Sequence, residues 1–162
     1  MIIMGVDPGI AITGYGFLRK EAGRLTPLDY GVLRTEPDMS PPRRLLTIYE
    51  GLSALIDVHQ PDTLATERLF FSRNETTALV VGRTIGVVLL LAAMRGIPWQ
   101  EYTPMEVKQA VVGYGGADKK QVQFMIQRIL ELKSIPKPDD AADALAVAVC
   151  HAHSVGILGT GR

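Results

Sequence analysis

Residues 1–17, MIIMGVDPGIAITGYGF, decide the fold of this 162-residue chain. An apolar run from Ile2 to Val6 ends on one carboxylate, Asp7. Pro8-Gly9 turns the chain, and Thr13 to Leu18 reads as a second strand coming back. An apolar run closed by a Pro-Gly turn has the pattern of a central strand buried on both faces. A charge inside such a run costs several kcal/mol to desolvate unless something pairs with it. Asp7 therefore either caps the turn or ligates a metal at the strand end. The glycines at 9, 14 and 16 would let another group, such as a phosphate, approach the backbone closely.

Working outward, Arg24 to Arg34 continues a three-stranded meander. Ser40-Pro41-Pro42 opens a helix, with Ser as the cap and Pro in the first turn, and Gln60-Pro61 closes it after His59. A fourth strand spans Thr63 to Phe70, and an almost wholly apolar helix follows from Thr76 to Arg95. Ile97 to Tyr102 is a fifth strand. Thr103 and Glu106 form a capping box for a short helix ending at Val112. Helices from Asp118 to Leu132 and from Asp139 to His153 complete the pattern. The order predicts an α/β fold: a five-stranded mixed sheet with helices on both faces and the first and fourth strands parallel at its centre. One domain is expected over 1–153, with a disordered tail over 154–162.

Composition narrows the function classes. Seventeen Lys+Arg balance 17 Asp+Glu, so any nucleic-acid surface must be local. The single cysteine, Cys150, excludes an internal disulfide; it lies in an apolar helical pattern as a buried, inert thiol and fits a reducing cytoplasm. No signal-peptide pattern precedes the first strand, and the longest apolar run, Ile85 to Met94, is too short to span a bilayer. Trp99 and the methionines read as core, and His151 and His153 as groups that favour a helix dipole at its end.

The informative residues are acids in apolar surroundings. Glu67 lies inside the fourth strand, as Asp7 lies at the end of the first. Asp140 and Asp143 are three residues apart on one face of a helix otherwise built of small and apolar residues. Helix-capping explains Asp139 and Asp140, but explains Asp143 poorly and the strand acids not at all. Four carboxylates without a thiol or imidazole cluster suit a hard cation, Mg²⁺ or Mn²⁺. Two such ions about 4 Å apart activate a water and stabilise the leaving oxygen in phosphodiester hydrolysis.

Four segments carry a resemblance to a known family: Gly5 to Gly9 with Thr13 to Gly16; Ala65 to Phe70; Val107-Lys108-Gln109 with Val111 to Gly113; and Asp140 to Ala146. In order and spacing they resemble the bacterial RuvC Holliday-junction resolvases, from about Met1 to His153. The resemblance implies the ribonuclease H-like fold. It also implies a homodimer that nicks opposing strands of four-way junction DNA, leaving 5′-phosphate and 3′-hydroxyl ends. The catalytic, metal-holding acids would be Asp7, Glu67, Asp140 and Asp143. Some relatives carry His where Asp140 stands, and the adjoining Asp139 leaves open which acid reaches the metal. RuvA and RuvB, the branch-migration proteins, are the implied partners.

From Lys108 to Lys137 six basic residues face only Asp118 and Glu131. Lys119 and Lys120 follow a glycine loop at a helix start, a natural phosphate seat as well as an ordinary solvated face. Through the resemblance Lys108 and Lys119 are expected near DNA, with Lys120 an added charge, and Arg73 and Asn74 beside the backbone. The family's aromatic, here Phe70, would act in the opened junction centre. The apolar helix from Thr76 to Arg95 needs cover on more than one side, and the resemblance supplies a second subunit. Three rivals stay open: processing of ribosomal RNA precursors on the same fold, an actin-like ATPase half built on Asp7-Pro8-Gly9, and a non-catalytic junction binder.

Overall fold

The computed structural model describes residues 1–68 and 75–158. Ten elements follow one another: β1 (Ile2–Asp7), β2 (Ile12–Glu21), β3 (Arg24–Arg34), α1 (Pro41–His59), β4 (Thr63–Glu67), α2 (Glu75–Met94), β5 (Trp99–Tyr102), α3 (Pro104–Val112), α4 (Lys119–Ile129) and α5 (Asp139–Leu158). The five strands form one sheet in the order β3-β2-β1-β4-β5. β1 runs antiparallel to β2 and parallel to β4, so the mixed sheet and its central parallel pair are as expected.

Side-chain alternation divides the core. Met4, Val6, Phe17 and Leu64 face α1 and α2, packing with Ile48, Leu52, Ile56, Val88 and Leu91. Ile3, Leu18 and Ala65 face the other way, toward α3, α4 and α5. Ile48, Leu52 and Ile56 recur every fourth residue, which is how α1 keeps one stripe on the sheet. The Thr103–Glu106 capping box forms in full at the start of α3, and Asp118 and Gln121 make another at the start of α4. Ser40 stands at the cap of α1, but its hydroxyl makes no capping bond there, and the helix start rests on its prolines.

Several local expectations change. α5 continues past His153 to Leu158, so the histidines are not at a helix end. His151 is buried, with Nε2 2.9 Å from Thr63 Oγ1 and Nδ1 2.8 Å from the Tyr102 hydroxyl. It ties the last helix to two strands, and burial holds its pKa below the ordinary value. Met4 is core, but Met1, Met94 and Met105 are exposed, and Trp99 is half-buried with Nε1 donating to Thr66 Oγ1 at 3.1 Å. Cys150 is buried, and burial first of all pushes its thiol up to about 12. Among the described residues no helix is long and apolar enough to cross a membrane.

Candidate active site

The site begins with a groove of missing side chains. Gly5 of β1 pairs with Gly16 of β2 and with Ala65 of β4, so one row across three strands has almost no side chain. α5 lies in that groove. A Cβ on Gly5 would collide with the Ala144 carbonyl and the Ala148 methyl, and one on Gly16 with Leu145. The helix answers with its own small residues, Ala141, Ala144 and Ala148, all fully buried. At Gly5 and Gly14 backbone therefore rests almost on backbone, while at Gly16 the Leu145 side chain fills the space.

The next row carries the chemistry. Asp7 pairs with Gly14, and the Val6–Thr66 pair beside it leaves Glu67 as the residue next to Asp7 on β4. Gly14 is where the first turn of α5 lands: a Cβ there would run into the Asp140 carbonyl. Gly14 and Gly16 thus make room for a helix, which corrects the expectation that they admit a phosphate. Gly9 belongs to the turn, where a Cβ would strike the Ile12 carbonyl. The glycine seat fixes Asp140 and Asp143 over the row that holds Asp7 and Glu67.

The carboxylates sense one another. Burial, then the charges of Asp143, Asp140 and Glu67, push the Asp7 carboxyl up to about 7. Burial and Asp143 likewise raise Glu67, against the pull of Lys108 and Lys119. Burial raises Asp143 too, although Lys119 donates to it from 2.9 Å. Such mutual displacement is what acids crowded in a poorly solvated place produce. The oxygen-only donor set fits a hard divalent cation. The described residues include no trio of acids already gathered round one ion position. Glu67, Asp143, Lys108 and Lys119 line one cleft of about 310 Å³ between β4, α3, α4 and α5.

Asp139 stands apart from that crowd. Lys137 donates to it at 3.1 Å and Lys119 lies 3.6 Å from it, so two lysines hold it at the rim. Lys120 is exposed beside Lys119. Phe70, Arg73 and Asn74 lie outside the described residues. Sequence reasoning missed the Gly5–Gly16–Ala65 row and the rim position of Asp139. The first had a signal: glycines at alternate positions of one strand, 14 and 16, and small residues at every third or fourth position of one helix.

The profile described as "Crossover junction endodeoxyribonuclease RuvC" matches residues 3–151. A protein of that description from Desulfitobacterium hafniense is 56% identical over 158 residues, covering 98% of this chain and 96% of the relative. The solved structure "T. thermophilus RuvC in complex with Holliday junction substrate" superposes with a TM-score of 0.92 at 37% identity, covering 97% of this chain and 96% of that one. The yeast mitochondrial Holliday junction resolvase, 18% identical with a TM-score of 0.66 over 97% of this chain and 81% of its own, shares the fold.

Proposed function

The chain belongs to the RuvC family of crossover junction endodeoxyribonucleases, and on that premise we propose that it resolves four-way (Holliday) DNA junctions by metal-dependent nicking. The observation that carries the reading is the acid row: Asp7 and Glu67 side by side on parallel strands, with Asp140 and Asp143 pressed over them by a helix seated on glycine. Those four acids would hold Mg²⁺, or Mn²⁺ in its place, as two ions per site. Bound there, the cations supply an activated water and charge stabilisation for the leaving oxygen. The chain's own residues do the rest. The glycine seat holds the backbone that carries Asp140 and Asp143 over the row of Asp7 and Glu67. A proton competes for Asp7 below about pH 7, so cation loading weakens as pH falls through that value. Lys108 and Lys119, at the cleft, meet the incoming phosphate backbone, with Lys120 beside them. Phe70 would act as a wedge or stacking platform at the open junction centre, with Arg73 and Asn74 on the backbone.

Paired nicks on opposing strands need two sites, so the reading includes a homodimer. α2 supports it. Its buried side is Ala78, Thr84, Val88, Leu91 and Ala92, while Leu79 (62%), Leu90 (57%) and Met94 (62%) stand exposed. Arg83 and Gly86 share that outer stripe, and among the described residues nothing beyond the helix's own turns comes within 4 Å of the place a Gly86 Cβ would take. A second copy would cover it. RuvA and RuvB are the proposed partners in the cell, and the cytoplasm the proposed place.

The deciding experiment is nicking of a mobile synthetic four-way junction in Mg²⁺, beside linear duplex and structured RNA. Symmetric cuts confined to the junction and abolished by Asp7→Asn or Glu67→Gln are expected. Cleavage surviving Asp7→Asn would overturn the acid assignment, and equal cutting of duplex would overturn the substrate.

A further inference from the structure

The acid row carries a positive group of its own. Lys119, the first residue of α4, places Nζ 2.9 Å from Asp143 Oδ2 and 3.6 Å from Asp139 Oδ2. Lys137 holds the other oxygen of Asp139 at 3.1 Å. The capping box of Asp118 and Gln121 fixes the backbone from which Lys119 projects. The Lys119 side chain is 54% exposed and that of Asp143 30%, so the pair sits where solvent begins. Lys108 lines the same cleft but makes no ion pair among the described residues.

We propose that Lys119 is a built-in counter-ion that competes with the cation for Asp143: it neutralises this carboxylate in the metal-free protein and is displaced outward when the cation loads. The inference rests on Asp143 being a ligand, as proposed above. An ammonium is a compact, strongly hydrated point charge on a flexible stem, well suited to giving way to a divalent ion. Asp139 makes the exchange easy, because Lys119 keeps one carboxylate partner after losing the other. The Lys119 ammonium sits on an Asp143 oxygen that a cation ligated by this carboxylate would need, so loading through that oxygen opens the pair. The ammonium released toward the rim then faces the cleft through which a phosphate arrives. By reciprocity, whatever draws Lys119 outward also tightens the cation.

The test is calorimetric titration of Mn²⁺ into the DNA-free, metal-free protein at pH 8, with thermal unfolding to confirm that each variant folds. Lys119→Gln should bind Mn²⁺ about fivefold more tightly, the scale of losing one partly exposed ion pair. Lys119→Arg, which keeps the charge, should stay near wild type. Lys108→Gln changes the local field without opening a pair and should tighten binding by less than about twofold. Asp143→Asn should weaken it sharply. Unchanged or weaker binding in Lys119→Gln, with Asp143→Asn still impaired, would overturn the counter-ion while leaving the acid assignment intact. Equal tightening in Lys119→Gln and Lys108→Gln would overturn it too, because a general field would then suffice. Full affinity in Asp143→Asn would remove the ligand assignment and the competition together.

Discussion

Replacing Asp7 by Asn probes the electrostatics of the site without any substrate. Burial first, then Asp143, Asp140 and Glu67, move this carboxyl from its ordinary 3.8 to about 7. A folded pKa above the unfolded one means that the fold binds the proton more tightly than the unfolded chain does. Stability therefore falls as pH rises from about 4 to about 7, and stays low above that. At about 1.4 kcal/mol for each tenfold in affinity, the whole displacement amounts to about 4 kcal/mol. The acids share the strain, so removing the charge should return about 2–4 kcal/mol at pH 8, worth about 5–15 °C in Tm for a chain of this size. Asn keeps the shape and loses the charge, so metal-free Asp7→Asn should be the more stable protein at pH 8 and nearly equal to wild type at pH 4. A divalent cation should close most or all of that gap. Wild type gains about 2.7 kcal/mol when the free ion stands at a hundred times its Kd, and the variant gains little. Urea unfolding at both pH values, with chelator or with Mn²⁺, reads all four conditions. If metal-free Asp7→Asn is no more stable than wild type at pH 8, Asp7 is not crowded and the electrostatic argument fails.

Gly14→Ala places a methyl on the Asp140 carbonyl, so it should cost several kcal/mol or lift the start of α5; a melting curve like wild type's would show that the helix yields more readily than its backbone contact implies. Leu90→Asp puts a charge in the exposed stripe of α2 and should weaken a dimer on the order of a hundredfold or more, read by sedimentation velocity. A folded variant that still sediments as a dimer would place the interface elsewhere. Burial, with Lys20 second, holds the His151 pKa below its ordinary 6.5, so the fold binds this proton less tightly than the unfolded chain. The His151 contribution to stability should then fall as pH drops below 6.5, opposite in sign to that of Asp7, and His151→Gln should remove that contribution from a pH series of unfolding curves. An unchanged slope would mean that His151 protonates in place.

Local signals were legible in the sequence where they were complete within a few residues. Thr103 to Glu106 encodes its helix start fully, and both bonds of the box form. The apolar run Ile2 to Val6 marks a strand buried on both faces, and Ile3 does lie on one side of β1 while Met4 and Val6 lie on the other. The acid constellation was legible because a carboxylate in an apolar strand has few explanations. What remained hidden was the identity of the atoms across a gap. Gly14 and Gly16 announce a close approach, but a helix backbone and a phosphate both satisfy it, and only the sheet register chooses. His151 was misread for a related reason. Its helix carries no stop signal before Gly156, so the ring lies mid-helix and inside, where two hydroxyls receive it. Asp139 and Asp143 are equal as letters, and the positions of Lys137 and Lys119 separate them.

The groove of small residues under α5 makes the two sides of the sheet mechanically unequal. On one side the helix meets Gly5 and Gly14 through main chain, and main chain deforms little under load. On the other, α2 meets them through Val88 and Leu91 against Met4 and Val6, side chains with rotamers to spare. The molecule is thus a stiff bracket on its chemical side and a sprung mount on the side of α1 and α2. Play on the α1–α2 side is taken up one layer away from Asp7, Glu67, Asp140 and Asp143, so those acids keep their spacing when that side is loaded.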